Sequence, residues 1–262
     1  MKLLYKFSPR EGYQPIISEE NKELKYIEFA FLSLEKGQSY EEETGDKEVG
    51  LIILSGKCSI EAGDREWKSV GERADVFSGR ASGVYVPCRS GYRVSAEDKV
   101  EVAVCKVPSK LVCPPRLIKP GDVKAKSVGK DNWRRDVYDI IDLSVEAERL
   151  VIGETINPPG NWSSAPPHKH DVDNLPQESD QEELYFFRVS PPQGFGMQRI
   201  YSDDGSLDEA YVLENNDTIA IPEGYHPVAA APGYRLYYLW ILAGEKRILQ
   251  PKDDPRHAWI KG

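Results

Sequence analysis

Two histidines near the middle of the chain are spaced as metal ligands would be. His168 and His170 flank a single lysine and directly follow the segment Ala165-Pro166-Pro167. On a β-strand, residues i and i+2 point to the same face, so both imidazoles can converge on one point. The same spacing beside prolines is also typical of an exposed turn, and these residues alone do not separate the two interpretations.

Carboxylates and a further histidine follow downstream. Glu182 and Glu183 begin the hydrophobic stretch Leu184–Val189, and His226 ends the turn Pro222–His226. Imidazole nitrogens together with a carboxylate oxygen are ligands for Zn²⁺, Fe²⁺ or Mn²⁺. A single histidine such as His226 is more often an ordinary hydrogen-bonded residue. It is the order of these elements along the chain that predicts a divalent-metal site.

The elements that must position these residues are predicted to be short β-strands. Runs of β-branched and aromatic residues bounded by turn residues recur along the chain, for example Leu51–Leu54 and Leu236–Leu242. The best helical candidate is one short segment, Asp136–Asp142. No glycine-rich phosphate-binding motif opens a helix after a strand, which argues against a nucleotide-binding α/β fold. The pattern favours a sandwich or a jelly-roll barrel.

A weak internal repeat indicates that the chain contains two similar units. Val84–Val94 resembles Ile219–Val228, because each contains a strand, a proline, a turn with Gly-Tyr, a basic residue and a valine. The proline-rich segment Cys113–Gly121 lies between the copies, as a linker would. We therefore predict two β-barrel domains, the first over residues 1–113 and the second over residues 114–262.

Composition excludes several classes of function. The net charge of −9 argues against a nucleic-acid partner. The longest apolar stretches are far shorter than the ~20 residues that a membrane span needs, and the N-terminal residues lack the apolar core of a signal peptide. The four cysteines (Cys58, Cys88, Cys105 and Cys113) have neither zinc-ribbon nor disulfide-framework spacing. We expect reduced thiols and a cytoplasmic protein without a membrane partner.

The order of HxH, glutamate and a Pro-Gly turn ending in histidine resembles the cupin pattern. The fit has two departures. Eleven or twelve residues separate His170 from the glutamate pair, more than is usual in cupins, and Pro222–His226 is one residue shorter than the cupin motif PxGxxH. The segment Asp171–Gln181 is therefore interpreted as an insertion.

Longer strings are similar to the 5-deoxy-glucuronate isomerase family, bicupins of bacterial myo-inositol catabolism related to 4-deoxy-L-threo-5-hexosulose-uronate ketol-isomerase. These strings are Asn132–Val137, Asn157–Asp171, Pro191–Phe195 and Pro222–Val228, and the likeness covers most of the chain. The resemblance implies an all-β bicupin of two RmlC-like jelly-roll barrels with few short helices. It also implies a homo-oligomer that acts on a small-molecule sugar acid.

The resemblance further implies a ligand set. His168, His170, His226 and one of the two glutamates would hold one divalent ion, Zn²⁺ or Mn²⁺, with Fe²⁺ as an alternative. Glu183 is followed by one aliphatic residue and then by aromatic residues, as in the related ketol-isomerases, so we favour it over Glu182. The first domain is expected to lack a metal site, because no histidine precedes residue 168.

The implied reaction is an aldose–ketose isomerisation, from 5-deoxy-D-glucuronate to 5-dehydro-2-deoxy-D-gluconate. The sequence leaves the general base open among Glu182, Glu223, Tyr225 and Tyr201, and a hydride shift would need no base. Arg199 is the candidate for binding the substrate carboxylate, since a guanidinium can grip a carboxylate with two N–H groups. Two alternatives remain at this stage: an Fe²⁺-dependent cupin dioxygenase, and a non-catalytic bicupin that binds sugar acids.

The insertion Asp171–Gln181 is polar, acidic and contains a proline, so it is predicted to leave the barrel as a loop. Candidate ligands stand on both sides of it, and its body is therefore expected to overhang the barrel mouth. Two interpretations remain open for it: a lid that excludes water during the reaction, or a surface insertion without a catalytic role.

Overall fold

The computed structural model describes residues 2–262, which fold almost entirely into β-strands. In the first part of the chain the strands are β1 (Leu4–Tyr5), β2 (Gly12–Ile17), β3 (Glu28–Leu34), β4 (Ser39–Glu43), β5 (Lys47–Ser55), β6 (Cys58–Ala62), β7 (Arg65–Val70), β8 (Gly83–Val86), β9 (Gly91–Ala96), β10 (Val100–Pro108) and β11 (Arg116–Ile118). The later strands are β12 (Lys124–Val128), β13 (Arg135–Ile141), β14 (Val151–Asn157), β15 (Trp162–Ser163), β16 (His168–Lys169), β17 (Glu182–Ser190), β18 (Gly196–Tyr201), β19 (Asp208–Leu213), β20 (Thr218–Ile221), β21 (Val228–Ala230), β22 (Arg235–Ala243) and β23 (Lys252–Asp253).

Helical structure within residues 2–262 is limited to two short 3₁₀ helices, Asp131–Trp133 and Ala258–Lys261. Neither of them, nor any other described segment, forms an apolar helix long enough to cross a bilayer. The prediction of an all-β fold with few short helices is confirmed.

The first half of the chain contributes a six-stranded sheet and a four-stranded sheet. Their strand orders are β11-β8-β5-β10-β3-β2 and β4-β9-β6-β7, with antiparallel pairing throughout these two sheets. Apolar side chains from both sheets, such as Leu51, Ile60 and Val94, form one buried cluster. The space between these two sheets is therefore filled by aliphatic side chains.

The second half has the same two-layer plan around a different interior. A seven-stranded sheet, β1-β20-β17-β22-β14-β13-β12, lies with a four-stranded sheet, β15-β21-β18-β19, and with the small pair β16-β23. Tyr185, Ile200 and Tyr238 belong to the core cluster that these sheets share. A further cluster joins the two halves, with Phe31 and Ile52 on one side and Phe186 and Tyr237 on the other.

Two short strands cross between the halves. β1 pairs with β20 through Leu4 and Ile219, so the N-terminal strand extends the sheet of the second half. β11 pairs with β8 through Leu117 and Val84, so a strand beyond residue 113 extends the sheet of the first half. Both exchanged strands attach to a strand of the internal repeat, which links the two halves by backbone hydrogen bonds as well as by apolar packing.

The expected helix at Asp136–Asp142 is wrong, because this segment forms most of β13. β12 pairs with one edge of β13 and β14 pairs with the other. Hydrogen bonding on both sides outweighs the weak local preference that a short segment of mixed residues has for a helix. In the strand, alternate residues share one face, which has consequences for the site described next.

Candidate metal centre

Short elements at the open end of the second sheet pair carry the candidate ligands. His168 begins β16, which pairs with β23 near the C-terminus, and His170 follows that strand directly. Glu183 is the second residue of β17, and His226 lies in the turn between β20 and β21. Lys169 alternates with the two histidines and points away from them, and its Nζ lies 3.0 Å from Oδ2 of Asp171.

The structure brings the three predicted histidines together. Ring centroids of His168 and His226 lie 4.9 Å apart, those of His170 and His226 lie 5.1 Å apart, and those of His168 and His170 lie 6.3 Å apart. One nitrogen from each ring lies within 4.8 Å of the others, so the three rings could hold a metal ion. His170 and His226 are buried, while His168 is partly exposed.

Glu183 faces the same point, and backbone carbonyls orient two of the rings. Oε2 of Glu183 lies 3.2 Å from Nε2 of His170 and 3.2 Å from Nε2 of His226. Nδ1 of His170 lies 2.5 Å from the carbonyl oxygen of Gln181, and Nδ1 of His226 lies 2.8 Å from that of Gly224. A carbonyl oxygen only accepts, so each Nδ1–H donates and each Nε2 faces the carboxylate.

This arrangement of nitrogen atoms around a carboxylate suits a bound cation. Two nitrogen lone pairs facing one carboxylate oxygen repel each other unless a proton or a metal ion lies between them. Nε2 of His226 is buried and has no hydrogen-bond partner among residues 2–262. Fixing a ligand ring through its second nitrogen is also how proteins orient metal-bound histidines. The donor set and the orphaned nitrogen therefore fit a divalent ion.

The electrostatics of the cluster agree with this conclusion. Burial by itself raises the pKa of Glu183, but the neighbouring His170 and His226 outweigh burial and lower that pKa to about 2. Burial lowers the pKa of His170, but the Glu183 carboxylate outweighs it and leaves the pKa raised. Burial and the two neighbouring imidazoles hold the pKa of His168 well below its usual value. Glu183 is thus a carboxylate among nitrogen donors.

Glu182 lies beside Glu183 in sequence but serves a different purpose. Its carboxylate accepts the backbone N–H groups of Lys25, Tyr26 and Ile27 at 2.6, 2.7 and 2.6 Å. Adjacent residues of a strand point to opposite faces, so the ligand position and this contact exclude each other. Both oxygens of Glu182 thus accept hydrogen bonds from this backbone segment rather than facing the histidines.

A cavity of about 220 Å³ opens beside the histidines. Alternate residues of β13, namely Arg135, Val137 and Asp139, form one wall. Tyr185 extends the face of β17 that carries Glu183, since the two residues are two positions apart. The remaining lining residues include Lys126, Val128, Thr155, Ser164, Tyr238, Trp240, Leu242, Leu249 and Pro251.

Arg199 does not line this cavity, contrary to the sequence-based expectation. It lies on an outward position of β18, and its guanidinium binds the carboxylate of Asp208 with distances of 2.7 and 2.8 Å. The neighbouring inward position is taken by Gln198, which is buried. The strand is therefore one residue out of phase for Arg199 to face the histidines.

The other candidate bases also lie outside the cavity. The hydroxyl of Tyr201 donates to Asp254 at 2.7 Å, and the hydroxyl of Tyr225 donates to Asp203 at 3.0 Å. Glu223 is exposed on the turn that leads to His226. None of these three side chains is among the described lining residues of the cavity.

Arg135 and Tyr185 are among the cavity residues that were missed from the sequence. Arg135 directly precedes Asp136–Asp142, the segment expected to be helical, and a strand prediction there would have placed it on the face of Val137. Tyr185 could have been found from its spacing to Glu183. Burial first, and then the charge of Glu183, raises the pKa of Tyr185 well above its usual value. Its hydroxyl, 3.4 Å from Oγ of Ser164, therefore stays protonated.

The insertion Asp171–Gln181 forms a loop, as predicted, but none of its described residues lines the cavity. The C-terminal segment does so instead, through Leu249 and Pro251. The loop contacts that segment through Ser179, whose backbone N–H donates to the carbonyl oxygen of Gln250 at 2.9 Å. The loop thus contacts the segment that borders the site.

The fold and the site together define a class of protein. Two double-layered β-units in one chain, with three histidines and a glutamate at the open end of one unit, are the features of a bicupin. Residues 3–260 match the KduI/IolB family, and the chain belongs to that family. The resemblance drawn from the sequence motifs is confirmed.

Named relatives and solved structures agree with this assignment. The chain is similar to 5-deoxy-glucuronate isomerase of Geobacillus kaustophilus (strain HTA426), with 43% identity over 251 residues, 95% of this chain and 91% of the relative. Its identity to the 5-deoxy-glucuronate isomerase of Listeria innocua serovar 6a is 40% over 247 residues, 93% of this chain and 90% of the relative.

Among solved structures, the chain is similar to an IolB-like protein from Salmonella typhimurium LT2, with a TM-score of 0.96 and 37% identity over 100% of both chains. It is also similar to oxalate decarboxylase of Lactobacillus farciminis, with a TM-score of 0.70 over 97% of this chain and 88% of that one. The identity to the latter is 12%, so this likeness shows the fold alone.

Proposed function

We propose that this chain is an aldose–ketose isomerase that converts 5-deoxy-D-glucuronate to 5-dehydro-2-deoxy-D-gluconate with the help of one divalent metal ion. The ligands are His168, His170, Glu183 and His226. The observation that carries the metal site is the buried Nε2 of His226, which faces a carboxylate oxygen at 3.2 Å without a hydrogen bond. Relatives at 43% and 40% identity that bear this enzyme name support the substrate and the reaction.

Three neutral imidazoles and one carboxylate suit a borderline ion, so we propose Zn²⁺ or Mn²⁺, with Fe²⁺ as the alternative. When bound, such an ion would supply Lewis-acid stabilisation of the negative charge that develops on the sugar oxygens. The isomerisation is redox-neutral and needs no electron-transfer cofactor.

Residues of the cavity wall bind the sugar and keep water away from it. Tyr185 and Ser164 present hydroxyl groups beside the histidines, and the protonated phenol of Tyr185 donates a hydrogen bond to a substrate oxygen. The rings of Tyr238 and Trp240 are largely buried and form an apolar side of the cavity. A dry site of this kind strengthens each hydrogen bond to the reacting atoms.

The cavity favours a direct hydrogen shift over a proton relay. Apart from Glu183, the carboxylate among the described lining residues is Asp139, and its Oδ2 lies 3.0 Å from Nζ of Lys126. Tyr185 remains protonated and cannot accept a proton from carbon. We therefore propose that the hydrogen moves between the two neighbouring carbons without visiting a side chain.

Metal analysis coupled to turnover tests this function. The purified protein should contain about one divalent ion per chain, convert 5-deoxy-D-glucuronate to the keto product, and lose that activity on chelation. Activity should return with Zn²⁺ or Mn²⁺ and should persist without oxygen, which a dioxygenase would need. A protein that binds the sugar acid but yields no keto product in an NMR time course would contradict the proposal.

We further propose that residues 1–113 and 114–262 form two cupin domains, with the metal only in the second. A homo-oligomer is supported by an apolar row on the outer face of one sheet, where Trp162, Met197 and Val212 are 42%, 38% and 50% exposed. A cytoplasmic location is supported by the four cysteines, which are all free thiols.

A further inference from the structure

Two cations line the cavity, and only one of them is neutralised by the protein. Nζ of Lys126 lies 3.0 Å from the carboxylate of Asp139, which lies diagonally across the β12–β13 ladder from it. Arg135 lies two residues from the strand position opposite Lys126, and no carboxylate among residues 2–262 pairs with its guanidinium. The cavity therefore contains one arginine without a counter-ion.

The Arg135 guanidinium is held in place by neutral groups. Its Nη1 donates to the carbonyl oxygens of Trp133 and Ala165, each at 3.3 Å, and the guanidinium lies 5.9 Å from the Trp133 ring centroid. Its remaining N–H groups have no acceptor in the described part of the chain. Leaving a partly buried cation unpaired costs free energy, and an anionic ligand would recover it. Burial lowers the pKa of Arg135, which shows that its surroundings disfavour the unpaired charge.

We infer that Arg135 binds the carboxylate of the sugar acid and so makes the site specific for uronic acids. This inference rests on the proposed function. An open-chain uronic acid has an aldehyde at one end and a carboxylate at the other. With its carboxylate on Arg135, its aldehyde end reaches the histidine side of the same cavity. A guanidinium forms two parallel charge-assisted hydrogen bonds with a carboxylate, which fixes direction as well as affinity.

The kinetic test uses the metal-loaded protein with Arg135→Met. We expect KM for 5-deoxy-D-glucuronate to rise by about 100-fold, because a neutral side chain loses both hydrogen bonds and the charge. Arg135→Lys keeps the charge but cannot form two parallel hydrogen bonds, so its KM should lie between those of the wild type and Arg135→Met. The matched control is Arg134→Met, since Arg134 is the exposed neighbour and pairs with Asp136. The control should retain the wild-type KM.

A binding test separates this inference from the proposed activity. D-gluconate, which cannot isomerise, should quench the fluorescence of the tryptophans of the wild-type protein, where Trp240 lines the cavity. The affinity for gluconate should be far lower in Arg135→Met at equal metal content. Glucitol, which has no carboxylate, should bind equally poorly to the wild type and to Arg135→Met. Loss of gluconate binding in a protein that never isomerises 5-deoxy-glucuronate would uphold Arg135 and refute the activity.

The opposite results would overturn the inference. Unchanged KM and unchanged gluconate affinity in Arg135→Met would show that the carboxylate binds elsewhere. A loss of gluconate affinity in Arg199→Met instead would restore the arginine that the sequence favoured. If Arg135→Met does not fold, Arg135→Lys and Arg135→Gln decide the question through the same two measurements.

Discussion

Two backbone carbonyls orient two rings of the histidine cluster. The carbonyls of Gln181 and Gly224 take the Nδ1–H groups of His170 and His226, so both rings turn their Nε2 atoms toward Glu183. These carbonyls belong to the chain just before β17 and to the turn that contains His226. The fold therefore fixes the tautomers before any ion binds, and metal binding needs little rearrangement.

Removing His226 should cost the metal but not the fold. His226→Ala deletes one of the four donors from a site whose neighbours are already oriented, so we expect metal affinity to fall at least ~100-fold and activity with it. Metal content by mass spectrometry and thermal unfolding of the same samples check this result. His257→Ala is the control, because His257 is not part of the three-histidine cluster, and this variant should retain the ion. Full metal content in His226→Ala would refute the ligand assignment.

The route of the transferred hydrogen can be determined by running the reaction in D₂O. If the hydrogen moves directly between carbons, the product formed in D₂O should carry no deuterium at the former aldehyde carbon, as measured by NMR. Asp139→Asn should then keep kcat within about tenfold of the wild type, whereas loss of a true general base costs ~10²–10⁴. Deuterium at that carbon, together with a large fall in kcat for Asp139→Asn, would establish a relay through Asp139.

At the level of single residues, the sequence predicted some members of the site and missed others. The three histidines and the glutamate pair were proposed from residue type and order, because few side chains suit a divalent ion, and the resemblance to ketol-isomerases favoured Glu183. The structure brings the three histidines and Glu183 together. The arginine of the cavity was not found, since Arg199 and Arg135 are equally suited by chemistry and differ only in the direction they face. That direction depends on which strand positions point inward, and this is set by pairing with distant strands.

At the level of elements, β14 and β22 shape the cavity through one glycine. A Cβ atom on Gly153 would lie 2.1 Å from Cζ2 of Trp240, so the indole occupies the space that a side chain would need. The indole N–H donates to Oγ1 of Thr155 at 3.2 Å, which fixes the ring against the same strand. The position of a cavity wall thus depends on the absence of one methyl group.

Gly153→Ala should therefore impair both stability and catalysis. Overpacking of this kind costs about 1–3 kcal/mol of unfolding free energy, and a displaced Trp240 would narrow the cavity. We expect a lower midpoint of chemical unfolding and a several-fold loss of kcat/KM. Gly121→Ala is the control, because a Cβ atom there meets no atom within 4 Å. Wild-type kinetics in Gly153→Ala would show that the position of Trp240 is not critical.

The predicted insertion shows how far the sequence predicts a single structural element. The polar composition of Asp171–Gln181 correctly predicted a loop, because such residues neither pair as a strand nor pack in a core. Its role could not be predicted, since the segment that borders the cavity comes from the far end of the chain. Leu249 and Pro251 lie just before β23, which pairs with β16, a contact of long sequence separation.

For the whole molecule, two glutamates join the halves in a reciprocal way. Glu182 of β17 accepts the three N–H groups of residues 25–27, which directly precede β3. Glu48 of β5 accepts the N–H groups of residues 148–150, at 2.9, 2.7 and 2.8 Å, and these directly precede β14. The two contacts are equivalent under exchange of the halves, which supports the proposed duplication of a cupin unit.

This symmetry gives adjacent glutamates opposite roles, and the pair of substitutions Glu182→Gln and Glu183→Gln tests it. In Glu182→Gln the side-chain amide cannot accept all three buried N–H groups, so we expect unfolding free energy to fall by about 3 kcal/mol. Metal content and kcat/KM should stay near wild type. In Glu183→Gln the unfolding midpoint should change little, while metal and activity are lost.

Glu48→Gln serves as the comparison, because it breaks the equivalent contact in the other half of the molecule. It should reproduce the destabilisation of Glu182→Gln and leave the metal in place. Denaturant unfolding measures the stability of all three variants, and mass spectrometry measures their metal. If Glu182→Gln lost its metal while Glu183→Gln kept it, the ligand would be Glu182, and the contact with residues 25–27 could not persist in the metal-bound protein.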